Sequence, residues 1–281
     1  MTKGSLKKLQ LPDEPGIYLF KKGRKILYIG KAANLRDRVR SYFSADLIRG
    51  RAESIVSMVE KASTISYRRT DSVLEALILE ANLIKQHQPP YNVASKDNKS
   101  FNYVVVTKED FPRVLLVRGR ELYQNWNDAQ IKKLFGPYPQ GLSLQEALKI
   151  VRRIFPYRDN KCTPCPEQLK KNAKRCAPCF NRQIGLCPGV CSGEMSKEDY
   201  AQTVRHICEL FSGNFRGLKR QLTKEMRSAS KAEDFEKAER LKRQCLALDH
   251  IKDVSLIKSE RVSAGGGARV EAFDVAHTAG A

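Results

Sequence analysis

The chain has 281 residues, with 51 Lys and Arg against 31 Asp and Glu and a net charge of +20. At about 100–200 residues per domain it has room for two or three units, and 41% hydrophobic residues suffice for packed cores, which excludes a wholly disordered chain. No apolar run reaches the ~18 residues of a membrane span, and the opening Met1–Gly16 lacks the apolar stretch of a signal peptide, so a soluble, cytoplasmic protein without membrane contact is expected. The excess of positive charge points to a polyanionic partner, most simply nucleic acid.

In chain order, Gly16–Phe20 and Ile26–Gly30 are two strand candidates around Lys22-Gly23-Arg24. A hairpin pivoting on Gly23 sets Tyr18 opposite Tyr28 and projects two phenols from one face of the sheet, a pair that packing alone can also account for. Asn34 is placed to cap a helix running through Tyr42, with Arg38 and Tyr42 at i and i+4 and Lys31 just before the cap. Ser72 and Glu75 form a capping box for a helix to about His87, whose apolar stripe is Val73, Leu77, Ala81 and Ile84. Glu80 falls inside that stripe, where a carboxylate costs stability unless it is paired or binds a cation. Gln88-Pro89-Pro90 then stops the helix. One carboxylate with tyrosines, Lys, Arg and Asn suits phosphodiester hydrolysis: a metal on the carboxylate neutralises the phosphate, cations hold developing charge, and a phenol passes a proton.

Tyr103–Val106 and Val114–Val117 are β-type runs separated by Phe111-Pro112, and a helix follows around Leu144–Ile154. Six of the eight cysteines then crowd between Cys162 and Cys191, which in a cytosolic protein suggests metal ligands. The pairs Cys162/Cys165 and Cys176/Cys179 have zinc-ribbon spacing. Residues 197–260 are strongly helical. Leu218, Leu222, Met226 and Ala229, then Phe235, Ala238, Leu241, Cys245 and Leu248, trace one seam on each of two helices meeting near Lys231–Asp234. So small a hairpin is expected to have its seam completed from outside, and Cys245 reads as packing. Gly265–Gly267 is a linker before the strand-like Arg269–Phe273.

The ordered set Gly16-Ile17-Tyr18, Tyr28-Ile29-Gly30, Lys31-Ala32, Arg38, Tyr42-Phe43, Glu80 and Pro90-Tyr91-Asn92 resembles the GIY-YIG nucleases. Leu74–Lys85, Lys96–Ser100, Phe135–Tyr138 and Phe155–Arg158 are similar, more narrowly, to the UvrC excinuclease family of bacterial nucleotide excision repair. The resemblance implies an α/β (α+β) GIY-YIG domain with a small central sheet over residues 11–95, a Cys-rich connector over 96–195, and a helical region over 197–260. It also implies a UVR hairpin at about 213–250 and the start of a ribonuclease-H-like domain at 265–281. By it, the chain is a metal-dependent DNA endonuclease that incises 3′ to a lesion in double-stranded DNA.

Glu80 would be the ligand of Mg²⁺ or Mn²⁺ and Tyr28 the general base, with Tyr18 the other candidate for that role. Tyr18, Lys31, Arg38, Tyr42 and Asn92 would position phosphate and water. Cys162, Cys179, Cys187 and Cys191 would hold a 4Fe–4S cluster. Cys165 and Cys176 exceed that pattern and keep Zn²⁺ open as the alternative. Phe235, Ala238 and Leu241 would dock on UvrB, with UvrA a partner indirectly. Asp274 matches the first acidic residue of the 5′-incision site; with the other carboxylates of that site missing it is expected to be inert, as in a fragment or one half of a split protein. The rival readings are a stand-alone GIY-YIG endonuclease, against which the UVR-like hairpin argues, and a non-catalytic DNA- or UvrB-binding module, against which the intact residue set argues.

Overall fold

The computed structural model describes residues 10–43, 53–93, 101–170, 176–249 and 251. The motif Lys96–Ser100, the linker, the strand-like Arg269–Phe273 and Asp274 lie outside the described residues.

Strands β1 (Gly16–Lys22) and β2 (Lys25–Ala32) form an antiparallel hairpin, and β3 (Thr64–Arg69) pairs with the other edge of β1 to give the order β2-β1-β3. The expected register is corrected here. Lys22 pairs with Lys25, so the turn is the two residues Gly23-Arg24, and a bulge after Phe20 adds one more residue to β2. Tyr18 therefore faces Gly30, and Tyr28 faces Phe20. Tyr18 and Tyr28 remain on one face as diagonal neighbours, with ring centroids 6.2 Å apart.

Helix α1 (Leu35–Arg40) is capped by Asn34, whose side chain accepts from the Asp37 amide, and runs into the 3-10 turn Ser41–Phe43. Helix α2 (Glu53–Lys61) follows, and Leu35, Val39 and Met58 join Tyr18 and Phe20 in one small core. Helix α3 (Val73–His87) starts at Ser72, which accepts from the Glu75 amide, while the Glu75 carboxylate reaches back to the Asp71 amide. It ends at Gln88 in the left-handed region (φ +43°) before the short helix α4 (Pro90–Val93).

Helix α3 is buried on nearly every side because it serves two sheets. It packs on β1 and β2, and also on β6 (Ile131–Tyr138) of a second antiparallel sheet. That sheet is β5-β4-β6, with β4 at Asn102–Thr107 and β5 at Val114–Arg118. Helix α5 (Gly119–Asn125) leads from β5 towards β6. Helix α6 (Gly141–Ile154) brings Leu144, Ala147 and Val151 to the larger core. Arg158, whose side chain is 2% exposed, pairs with Glu109 beyond β4 and donates to the Cys162 carbonyl at 3.0 Å. The Cys-rich segment carries only the short helices α7 (Cys165–Lys170) and α8 (Phe180–Gln183).

Helices α9 (Lys197–Phe211), α10 (Phe215–Lys231) and α11 (Phe235–Asp249) complete the described residues. The α10–α11 turn falls where the heptad-like spacing set it. The hairpin seam, however, is closed within the chain. Leu218, Leu222, Ala229, Leu241 and Leu248 share a core with Val204, Ile207 and Leu210 of α9. Helix α11 also touches α6. Cys245 packs against that core, as its place on the seam predicts.

Candidate active site

The first sheet presents its aromatic face to α1, and this is where the predicted residues converge. Tyr18 is fully buried; its hydroxyl shares a 2.9 Å hydrogen bond with the Tyr42 hydroxyl and accepts from Arg38 Nε at 3.4 Å. The Arg38 guanidinium lies 5.8 Å from the Tyr42 ring centroid, which realises their i, i+4 spacing. Phe20 completes the aromatic cluster, 5.1 Å from Tyr42 between ring centroids. Gly30 admits the Tyr18 ring: a Cβ there would lie 2.4 Å from the Tyr18 Cζ and hydroxyl. Gly16 is as constrained, since a Cβ would meet the Arg68 carbonyl of β3 at 2.4 Å. The two glycines of the paired motifs are thus close-approach positions.

Glu80 is 7% exposed on α3, and its Oε1 accepts the Lys31 amide of β2 at 2.9 Å. A β2 backbone N–H therefore orients the carboxylate beside the tyrosine cluster. Burial, then Tyr42 and then Glu80 hold the Tyr28 phenol well above its ordinary 10.0, with Arg38 acting the other way. Burial, Tyr42 and Tyr28 do the same to Tyr18. Tyr28 is half-buried, so of the two it is the one open to solvent.

Asn92 meets the backbone of β2. Its Oδ1 accepts the Ile29 amide and its Nδ2 donates to the Ile29 carbonyl, both at 2.8 Å. The side-chain amide acts as a short stretch of extra strand on the free edge of β2, fixing the strand that carries Tyr28 and Lys31. Sequence reading missed Ser57 and Lys61 of α2. Ser57 shares a 3.2 Å hydrogen bond with the Tyr91 hydroxyl and, with Lys61, lowers that phenol's pKa. No spacing signal links α2 to Tyr91, which meets it only in the folded chain.

In the Cys-rich segment Cys165 and Cys176 are joined in a disulfide, with Cα atoms 5.4 Å apart. Their sulfurs then offer no thiolate, which corrects their reading as possible ligands and removes the paired zinc-ribbon scheme. The remaining four cysteines of the segment, Cys162, Cys179, Cys187 and Cys191, are free thiols. Cys162 is the largest influence bringing the Cys187 thiol down to about 6. Among the described residues no three or more His, Cys, Asp or Glu side chains stand in the arrangement of a metal centre. Among them, too, no helix is long and apolar enough to cross a membrane.

The buried carboxylate of Glu80 on a helix, facing a tyrosine cluster on a three-stranded antiparallel sheet with Arg38 at its edge, defines a protein of the GIY-YIG class. Three family models match in chain order: a UvrC-like GIY-YIG domain at residues 14–93, the UvrC/Cho excinuclease middle domain at 101–210, and the UvrB/uvrC motif at 216–251. The chain belongs to the UvrC family. The UvrABC system protein C of Clostridium kluyveri is 36% identical over 261 residues, and that of Carboxydothermus hydrogenoformans 40% over 246. These matches cover 91% and 86% of this chain. The chain spans 38% and 37% of the length of those two relatives. The solved GIY-YIG N-terminal endonuclease domain of UvrC from Thermotoga maritima, bound to magnesium as its catalytic divalent cation, is 40% identical. That match covers 33% of this chain and all of that domain, with a TM-score of 0.29.

Proposed function

We propose that the chain is a metal-dependent DNA endonuclease of nucleotide excision repair, which cuts damaged duplex 3′ to the lesion together with UvrA and UvrB. The observation that carries this reading is Glu80 held by the Lys31 amide beside three tyrosines and Arg38. A hard carboxylate oxygen suits Mg²⁺ or Mn²⁺. Glu80 would hold that cation, which when bound neutralises charge on the phosphate and on the leaving oxygen.

The chain's own groups do the rest. Tyr28, the half-buried phenol, would act as general base only as its phenolate, after releasing its own proton to solvent. Burial, Tyr42 and Glu80 oppose that ionisation and Arg38 favours it. Tyr18 is enclosed and tied to Tyr42 and Arg38, so it positions rather than titrates. Arg38 holds a phosphate oxygen, the buried Lys31 helps position the phosphate, and Asn92 keeps β2 in place. In the Cys-rich segment the family resemblance assigns a 4Fe–4S cluster to Cys162, Cys179, Cys187 and Cys191, the four thiols that remain free, although among the described residues they are not gathered into a metal centre.

Docking on UvrB would use Phe235, which is 68% exposed and lines a groove of about 920 Å³ with Met195, Gln244 and Ala247. Leu241 is 4% exposed and supports the hairpin from within. The UVR motif favours this reading over a stand-alone nuclease, which needs no such dock.

The test is reconstituted incision of lesion-containing duplex with UvrA, UvrB and Mg²⁺. Only the 3′ strand break is expected, and Glu80→Gln should lower its rate by at least ~10³-fold while duplex affinity changes little. Wild-type nicking by Glu80→Gln protein would overturn the assignment.

A further inference from the structure

The two helices of the terminal hairpin differ in charge in a way that the apolar seam does not require. Helix α10 carries six cations, Arg216, Lys219, Arg220, Lys224, Arg227 and Lys231, against the single acid Glu225. Helix α11 mixes Lys237, Arg240, Lys242 and Arg243 with Glu236, Glu239 and Asp249. At about 100° per residue the α10 cations fall within an arc of about 140°, opposite the buried Leu218 and Ala229. Glu225 lies outside the arc and faces His206 of α9.

Within the stripe Lys219 pairs with Asp249, whereas among the described residues Arg220, Lys224, Arg227 and Lys231 have no carboxylate partner. All four are exposed, and Thr223 and Ser228 border the same shallow groove. A solvated helix face normally interleaves acids with its lysines, as α11 does; a face of one sign favours a polyanion.

Its position selects which polyanion. Asn82, two residues beyond Glu80 on α3, donates to the Phe211 carbonyl at 3.2 Å, just before α10 begins. Phe211 and Phe215 share the core with Leu77 and Ala81 of α3. The stripe therefore starts beside the helix that carries the candidate catalytic carboxylate. From Arg216 to Lys231 it runs about 22 Å, comparable to the rise of six to seven base pairs.

We propose that the exposed face of α10 is a phosphodiester-backbone binding surface, holding the duplex that flanks the cut strand by its charge and without sequence preference. The choice of duplex as ligand rests on the nuclease reading. A protein partner with an acidic helix face is the competing occupant. Its interaction would be expected to alternate charges across the hairpin, which α11 offers and α10 does not.

The experiment measures binding of the full chain to a fluorescein-labelled duplex of about 30 base pairs by anisotropy, in EDTA, with salt varied from about 50 to 200 mM. Chelation and the absence of any nicking readout separate this result from the fate of the catalytic assignment. The variant Arg220→Gln/Lys224→Gln/Arg227→Gln should bind about tenfold more weakly, and its plot of log affinity against log salt should flatten by about 2–3. The charge-matched control Arg240→Gln/Lys242→Gln/Arg243→Gln on α11 should stay within about threefold, with its slope nearly unchanged. Lys224→Gln alone, an exposed mid-helix change, should flatten the slope by about 1 and covers the case in which the triple variant melts early. An unchanged slope in the α10 variants overturns the proposal, and so does an equal loss in the α11 control, which would reduce the effect to net charge. Retained duplex binding together with lost capture of UvrB would assign the stripe to a protein contact, and the proposal would fall.

Discussion

At the scale of single residues, the site depends on atoms that are absent as much as on those present. Gly30 faces Tyr18 across the hairpin, and the phenol occupies the space a side chain would take. Gly30→Ala must push Tyr18 off Tyr42 and Arg38. Nicking should fall at least tenfold, with a stability loss of about 1–3 kcal/mol from overpacking. Single-turnover incision and a thermal melt check this, and unaltered incision would show that the ring has room to shift. Tyr138 presents the opposite situation. It is fully buried on the second sheet, its hydroxyl has no hydrogen-bond partner among the described residues, and burial raises its pKa above the ordinary 10.0. Tyr138→Phe removes an unsatisfied O–H and should leave stability at pH 7 unchanged or higher by about 1 kcal/mol. The linkage has a definite sign. Above pH 10 the unfolded phenol ionises while the buried one stays protonated, so the native protein loses stability as pH rises. Melts between pH 8 and about 11 should therefore fall less steeply in the variant.

At the scale of elements, helix α3 is the part most fully written in local sequence. Ser72, Glu75 and the Leu77/Ala81/Ile84 spacing give its start, its buried face and the intrusion of Glu80. Strand register is not local. Symmetry about Gly23 sets Tyr18 against Tyr28, but the two-residue turn and the bulge after Phe20 shift the pairing by two residues. Edge strand β3 has one buried side chain, Ile65, in Thr64–Arg69, so its signal is nearly all polar. The Cys-rich element divides along the same line, because spacing cannot tell ligands from a disulfide pair. Serine at Cys187 should abolish the brown colour and the absorption near 400 nm expected of anaerobically purified protein, whereas serine at Cys165 should leave both intact. Equal loss of colour in the two variants would return Cys165 to the ligand set.

At the scale of the whole molecule, α3 joins the first sheet to everything that follows. Its second face packs on β6, and Asn82 ties it to the end of α9. The terminal hairpin is thus an integral layer of the larger core, and its exposed Phe235 is separable from its buried Leu241. Phe235→Ala should change the melting free energy by less than about 0.5 kcal/mol yet weaken capture by UvrB, while Leu241→Ala should cost about 2–5 kcal/mol. Equal destabilisation by the two substitutions would mean that Phe235 is packed in solution.

Sequence by itself determined the residue types of the GIY-YIG motif, the helix caps, the two strands of the second sheet flanking Phe111-Pro112, and the turn between the last two helices. Each is set by neighbours within a few positions or by a side chain's own reactivity. Only the tertiary structure decided which atoms meet. It set the Asn92 side chain on the Ile29 backbone, closed the hairpin seam on α9, and joined two cysteines to each other. Those outcomes depend on packing between segments distant in the chain, where a one-residue bulge or a second sheet against the same helix redirects a side chain without changing any local pattern.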